Sequence, residues 1–431
     1  MNQTLLAAAI TTLAAAFAPA TQAQTLTGWA LLPAATFADG PVSGQFASPN
    51  PYGTNLPPFA GQPVQGFSAV LPGPAAGSLR VMTDNGFGAQ TNSADTLLRV
   101  YTVRPEWRTA RGGRGIVHPA DWWSGRPVKA FDATTRITLR DPDNKVGWTI
   151  QADLEHYYGV DTNPAVDPAI RAGRLLTGAD FDIESVRRTA DGHYWFGDEF
   201  GPFLLETDAR GRLLGAPIPL PGVYSPQNPE VLAGQATANL GGSGGFEGMA
   251  LSHDGKKLYA LLEKTVTGDA DKTLRINEFD LASRRWTGVR YVYPLDAQGT
   301  AIGDMTAVDD HRFIVIERNG STATSGTPFK KLYLIDIEGV EAGGTVKKTE
   351  LVDLMAIADP DDLNRDGSTT FSLPYTTIED VLPLDARTLL VINDNNFPYG
   401  GGRTLASDDT EFIRIRLPEG LKVCVRCDGT R

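Results

Sequence analysis

Cysteine is almost missing from this 431-residue chain: there are two, Cys424 and Cys427, both at the extreme C-terminus. One CxxC supplies half of a zinc site, and a redox-active CxxC opens a helix in a thioredoxin-like βαβ setting that this tail lacks. A small local disulfide is the reading that remains for an oxidising compartment. The five histidines, His118, His156, His193, His253 and His311, form no ligand-spaced pair. Neither a P-loop nor a Rossmann fingerprint is present. Positive charge is also short, with 39 Lys+Arg against 51 Asp+Glu and a net charge of −12. Such a surface repels nucleic acid and anionic lipid headgroups, so neither is expected as a partner. No long stretch has helical periodicity; residues 165–177 are the best short candidate.

Residues 1–23, MNQTLLAAAITTLAAAFAPATQA, hold an apolar run, then Pro19 and small residues. This resembles a secretory signal peptide cleaved after Ala23, although it carries no Lys or Arg. A membrane anchor is the alternative, but the run is shorter than the ~20 apolar residues a span needs, and no later stretch qualifies. The mature protein is therefore expected to be secreted or periplasmic, and a monomer. No linker divides residues 24–431, so they are read as a single domain with a short CxxC tail. With 46 Gly, 29 Pro and 41% hydrophobic content, the composition suits many short strands joined by turns.

The strand pattern is clearest in FDIESVRRTADGHYWFGDEFGPF, residues 181–203. An acid opens it (Glu184), an alternating run follows, Asp191-Gly192 turns the chain, and an aromatic run leads to Asp198-Glu199. Period-2 runs around an Asp-Gly turn are a β-hairpin signature, which places Glu184 and Asp198 at the same end. Four further segments repeat it: Glu247 to Glu263, Asp304 to Glu317, Glu379 to Asn393-Asp394-Asn395, and Ser68 to Asp84-Asn85. Strand-like runs such as 97–106, 203–214, 274–286, 332–340 and 411–419 come after the hairpins. Hairpins with outward strands, repeated around a ring, make an all-β propeller, with six blades expected in a range of five to seven. The long gap between Ser68 and Glu184 holds either a degenerate blade or an elaborated first one.

A ring superposes the hairpin ends, so their acids would gather around one mouth. Asp84, Asp198, Glu199, Glu263, Asp304, Glu317 and Asp394, with the amide oxygens of Asn85 and Asn395, are candidate calcium ligands. Glu184, Glu247 and Glu379 are candidate catalytic acids. Arg318 and Arg403 are candidate substrate-binding cations. The plainer reading is that each acid accepts backbone N–H groups or pairs with Lys264, Arg318 or Arg403. Two local motifs are weaker. Asp362-Leu-Asn364-Arg-Asp366-Gly367 matches the head of a calcium loop, but its twelfth position is Leu373, where a bidentate Glu belongs. Gly241-Gly242-Ser243-Gly244-Gly245 satisfies G-x-S-x-G without the strand-to-helix turn that motif requires.

The segments 182–214, 245–263 and 378–398, together with TLRDPDN at 138–144, resemble the phytase-like family described as having esterase-like activity. The likeness runs from about Gly66 to Leu417. It implies a propeller fold and a hydrolase, with Glu184, Asp198, Glu199, Glu247, Glu379, Asp394 and Asn395 as the shared polar set. A carboxylate-lined mouth would reject a phosphoester unless bound metal reversed the local field. The expected function is thus calcium-dependent hydrolysis of a phosphoester or carboxyl ester by a metal-activated water, with a lactonase as a variant. A non-catalytic propeller that binds an extracellular ligand or protein is the competing class.

The cysteine pair generates a separate test. Thiol titration of the unfolded, unreduced protein should find no free thiol; two free thiols would exclude the Cys424–Cys427 bridge.

Overall fold

A computed structural model describes residues 24–400 and 402–421. The expected leader and the Cys424-Val-Arg-Cys427 segment lie outside these described residues. The hairpin of residues 181–203 forms as the sequence indicates. Ile183–Arg188 pairs antiparallel with Tyr194–Asp198, with Val186 opposite Phe196. Phe203–Thr207 and Ile218–Pro219 extend the sheet outward, completing a four-stranded blade. Alternation sends successive side chains to opposite faces, and both faces find partners. Val186 and Phe196 pack against Ala69 and Met82 of the preceding blade, while Trp195 packs with Phe246 and Met249 of the next.

Four more blades follow the same plan. Phe67–Pro72, Leu79–Thr83, Arg99–Glu106 and Ile116–Pro119 make the first. Gly248–Leu251, Lys257–Leu261, Thr273–Asp280 and Arg285–Pro294 make the third. Ala301–Ala307, Arg312–Arg318, Lys330–Asp336 and Lys347–Asp353 make the fourth. The fifth consists of Asp380–Asp385, Thr388–Ile392 and Thr410–Arg416, with Thr25–Leu32 from the start of the chain as its outermost strand. That strand runs antiparallel to Thr410–Arg416, from Thr25 opposite Arg416 to Leu32 opposite Thr410.

The innermost strands close a ring. Phe67–Pro72 touches Ile183–Arg188, which touches Gly248–Leu251, then Ala301–Ala307, then Asp380–Asp385, which returns to Phe67–Pro72. The propeller therefore has five blades, the lower bound of the expected range, and not six. The long gap after Ser68 elaborates the first blade and its junction with the second. It contains the strand Arg136–Thr138 paired to Arg99–Glu106, a 3-10 turn at Gln151–Asp153 and the short helix Pro168–Gly173. Asp167 caps that helix, its Oδ1 accepting the Ala169 N–H at 2.8 Å.

A narrow ring brings backbones close together. A Cβ placed on Gly303 would lie 1.9 Å from the Ile378 carbonyl oxygen, where the fourth and fifth inner strands meet. Gly303→Ala should therefore destabilise by about 2 kcal/mol or more, through forced separation of two strands. Gly320→Ala, where an added Cβ meets nothing within 4 Å, should stay within about 0.5 kcal/mol. Denaturant melts of both variants check this, and equal midpoints would contradict it.

Candidate functional site

Backbone hydrogen bonds mark one end of the inner hairpins. Asp84 N–H donates to Gly66 O (3.0 Å), Glu199 N–H to Asp182 O (2.9 Å), Glu263 N–H to Gly245 O (2.9 Å) and Glu379 N–H to Ile392 O (3.4 Å). Thr300 N–H donates to Arg318 O (2.9 Å) in the fourth blade. Each of the five blades thus delivers a charged residue to the same mouth, and the fourth delivers the cation.

Arg318 Nη2 reaches Glu263 Oε1 at 3.1 Å, Glu379 Oε1 at 3.2 Å and Glu247 Oε1 at 3.4 Å. All four side chains are buried. Glu379 also accepts the Ser68 hydroxyl at 3.0 Å, so the one hairpin that opens without an acid supplies a hydrogen bond instead. Burial, then the charge of Asp394, pushes the Glu379 carboxyl up to about 8 against the opposing pull of Arg318. Lys330 lies behind this group, with its Nζ bonded to the carbonyls of Asn319 and Thr376. Burial and the nearby guanidinium pull its ammonium down to about 7.

Beside the arginine, a second group of acids has no cation bonded to it among the described residues. Asp182, Glu184 and Glu199 are buried, and each offers a carboxylate oxygen within 4.8 Å of the others. Asp182 Oδ1 and Glu199 Oε1 have no hydrogen-bond partner among the described residues. Unpaired carboxylate oxygens in a buried setting either hold protons or meet a cation. Burial pushes Asp182 up to about 6 and raises Glu184 and Glu199 well above the usual carboxylate range. The neighbouring acids Asp182, Glu247 and Glu379 raise Glu184 further. The donor set is all oxygen, with no imidazole or thiolate, and so fits a hard divalent cation of the calcium type. Asp84 and Asp394 border it. Asp84 accepts Gly86 N–H (2.8 Å), and Asp394 accepts Asn396 N–H (2.8 Å) and the Thr377 hydroxyl (3.0 Å).

Glu184, Glu199, Glu247, Glu263, Glu379, Asp84 and Asp394 are thus brought together as expected from the hairpins, and Arg318, expected as a substrate-binding cation, is engaged by three of these acids. The remaining candidates are placed differently. Asp198 is fully buried, and its two oxygens take the Asp182 and Gly201 N–H groups at 2.9 and 2.8 Å, fixing the turn below the site. Asn85 and Asn395 lie next to the acids, but their amides hold loops: Asn85 Oδ1 accepts Gly88 N–H, and Asn395 bridges Gly66 N–H and Asp408 O. Asp304 is not at the mouth. Opposite Ile316 it holds the register that Ser185 holds opposite Gly197 and Asp380 opposite Ile392, one residue past Glu184 and Glu379, whose place Gly303 takes; its carboxylate lies against Arg187 at 3.1 Å.

Glu317 also points elsewhere, because it neighbours Arg318 on one strand and must face the other way. It accepts the Tyr293 hydroxyl (2.6 Å) and the Asp296 N–H (2.6 Å) and pairs with Lys348, between the third and fourth blades. Arg403 forms a two-pronged pair with Glu411 (2.7 and 2.9 Å) over the Tyr375 ring and is committed to holding its loop. The Asp362–Gly367 loop closes on itself, with Asp362 Oδ1 accepting Gly367 N–H and Asp366 Oδ1 accepting Ser368 N–H.

Two acids were missed. Asp182 precedes Glu184 by two positions and so shares its strand face, a signal available from period-2 alternation. Asp380 had no such signal. It is fully buried beside Asp304 and Arg187, and neither of its oxygens has a partner.

Among known proteins, a 185-residue stretch is 26% identical to an uncharacterized secreted protein of Arthroderma benhamiae, covering 36% of this chain. The match spans about a third (35%) of the length of that relative. The structure is similar to a periplasmic gluconolactonase of Pseudomonas aeruginosa, with TM-score 0.34 and 11% identity over 90% of this chain and 99% of that one. It is also similar to a luciferin-regenerating enzyme, with TM-score 0.35 and 10% identity over 83% and 81% of the two chains. Residues 62–397, which run from just before the first blade to the last inner hairpin, match the model described as phytase-like, esterase-like activity of phytase. The chain belongs to that phytase-like family.

Proposed function

We propose that this protein is an exported hydrolase of ester bonds whose centre is the mouth of the propeller. Asp182, Glu184 and Glu199 would hold a divalent cation there, calcium first. The observation that carries the reading is that Asp182 and Glu199 keep buried oxygens without partners, within reach of Glu184. Calcium bound there would polarise an ester oxygen and make a water molecule more acidic.

The chain's own residues supply the rest. Glu247 is a buried carboxyl raised by burial and by Glu379, Glu263 and Glu199, with Arg318 opposing. A carboxyl raised in this way is able to take a proton from the attacking water and return it to the leaving oxygen. Arg318 fixes Glu247, Glu263 and Glu379 relative to one another and is a positioning residue. Acids outnumber the cations Arg318 and Lys264 at this mouth, which favours a neutral carboxyl ester or lactone over a phosphate monoester. The secreted relative and the family's esterase-like description are consistent with this reading.

One prediction concerns stability and pH. Asp182, Asp198 and Glu379, pushed up to about 6, 7 and 8, keep protons in the folded state that the unfolded chain releases near pH 4. The folded state binds more protons, so chelated protein should lose stability as pH rises from about 5 to about 8. Calcium at about one hundred times its dissociation constant should restore roughly 2.7 kcal/mol at pH 8, a few degrees of melting temperature, and flatten the pH slope. Asp182→Asn and Glu199→Gln should lose that response. Melts at pH 8 that ignore both chelation and calcium would remove the metal from the mechanism.

A second prediction concerns turnover. With carboxyl ester, lactone and phosphoester substrates, assayed with and without calcium, Glu247→Gln should lower kcat by about 10²–10⁴ while leaving calcium stabilisation in place. Tight binding without turnover across all three substrate classes would instead identify a ligand-binding propeller.

A further inference from the structure

A second cleft lies away from the mouth, where the elaborated first blade meets the second. Its volume is about 540 Å³, and it is lined by Trp122, Trp123, Arg136, Arg140, Arg210 and Asp121 among others, within the size range of small-molecule sites. The seam is fixed by backbone: Arg140 N–H donates to Gly211 O at 2.9 Å, and Leu213 N–H to Arg140 O at 3.0 Å. None of these residues belongs to an inner strand, so the cleft is separate from the acidic centre.

Its charge is opposite in sign to the net charge of the chain. In a chain of net charge −12, three guanidinium groups line the cleft against one carboxylate. Asp121 is occupied locally, accepting the Ser124 N–H and hydroxyl at 2.8 and 2.6 Å. Arg136 pairs with Asp39 at 2.5 Å. Arg140 and Arg210 pair with no carboxylate among the described residues, and Arg140 Nε is buried without any hydrogen-bond partner. Trp122 is anchored by the Arg80 guanidinium stacked 4.1 Å from its ring, yet its indole Nε1 is likewise buried and unpartnered. Trp123 stands nearly perpendicular to it with 61% of its surface exposed.

We infer that this cleft is a binding site for a small anion carried on a sugar-like ring. An anionic oxygen satisfies the unpaired guanidiniums, as charge-assisted hydrogen bonds do most strongly. The exposed indole of Trp123 gives a ring a flat face to lie on. The site neither uses nor requires the acidic mouth, and so stands apart from the proposed hydrolysis.

Glucuronate is a suitable probe because it contains no ester bond. Tryptophan fluorescence and calorimetric titrations of the mature protein with glucuronate should show saturable binding. Glucose, which lacks the charge, and acetate, which lacks the ring, should each bind at least tenfold more weakly. Arg140→Ala, Arg210→Ala and Trp123→Ala should each weaken glucuronate binding by tenfold or more, and the mouth variant Glu247→Gln should leave it unchanged. Arg210 lies on an exposed turn and Trp123 is mostly exposed, so those two variants keep the test valid if Arg140→Ala fails to fold. The site is overturned by absence of saturable glucuronate binding, by equal binding in the Arg210 and Trp123 variants, or by loss of binding in Glu247→Gln.

Discussion

Bringing carboxylates out of water around a common axis is the constraint on which the centre of this molecule depends. Each such group must be matched by a cation, bonded to backbone N–H groups or left holding a proton, because the interior solvates charge poorly. All three solutions occur within a few residues of each other. Arg318 binds Glu247, Glu263 and Glu379. Asp198 is held by two backbone N–H groups. Asp182 and Glu199 retain oxygens that neither solution reaches. The side chains left over once the structural demands are met are the ones on which the proposed chemistry rests.

The same reasoning separates what the sequence could disclose about this site from what it could not. Hairpin periodicity located Glu184, Glu199, Glu247, Glu263 and Glu379, because a strand start and a strand end are readable from an alternating pattern and a turn. It misplaced Asp304, since Gly303 and not Asp304 stands in register with Glu184 and Glu379, and an offset of one residue along a strand turns a side chain to the other face. It also assigned both Glu317 and Arg318 to the mouth, although neighbours on a strand face opposite ways; once Arg318 enters, Glu317 must leave. Arg403 drew attention as a cation near the acids. Its true partner, Glu411, was hidden because the contact is made between a loop and a strand with no periodic relation.

Fold was more legible than site. Strand runs and turns identify a propeller, since each blade repeats a short-range pattern. Blade number is a property of closure, which no single repeat records. The gap between Ser68 and Glu184 had room for another blade, yet it carries the Arg136–Thr138 ribbon, a 3-10 turn and a short capped helix. That extra material on the first blade's outer side also creates the basic cleft at the seam with the second.

The pairing of Thr25–Leu32 with Thr410–Arg416 has a consequence for how the protein comes into being. Among the described residues Thr25–Leu32 precedes all five inner strands and its partner follows all of them, so no order of synthesis from the N-terminus can complete the ring early. Blades two to four can each collapse locally on short-range contacts. The closing contact joins Thr25–Leu32 to Thr410–Arg416 and must await the later strand, with the loop-closure entropy that so long a separation entails. A chain built this way keeps its ring open until Thr410–Arg416 has been made, so a ribosome-bound chain short of that strand exposes the outer edge of both Thr25–Leu32 and the fifth blade.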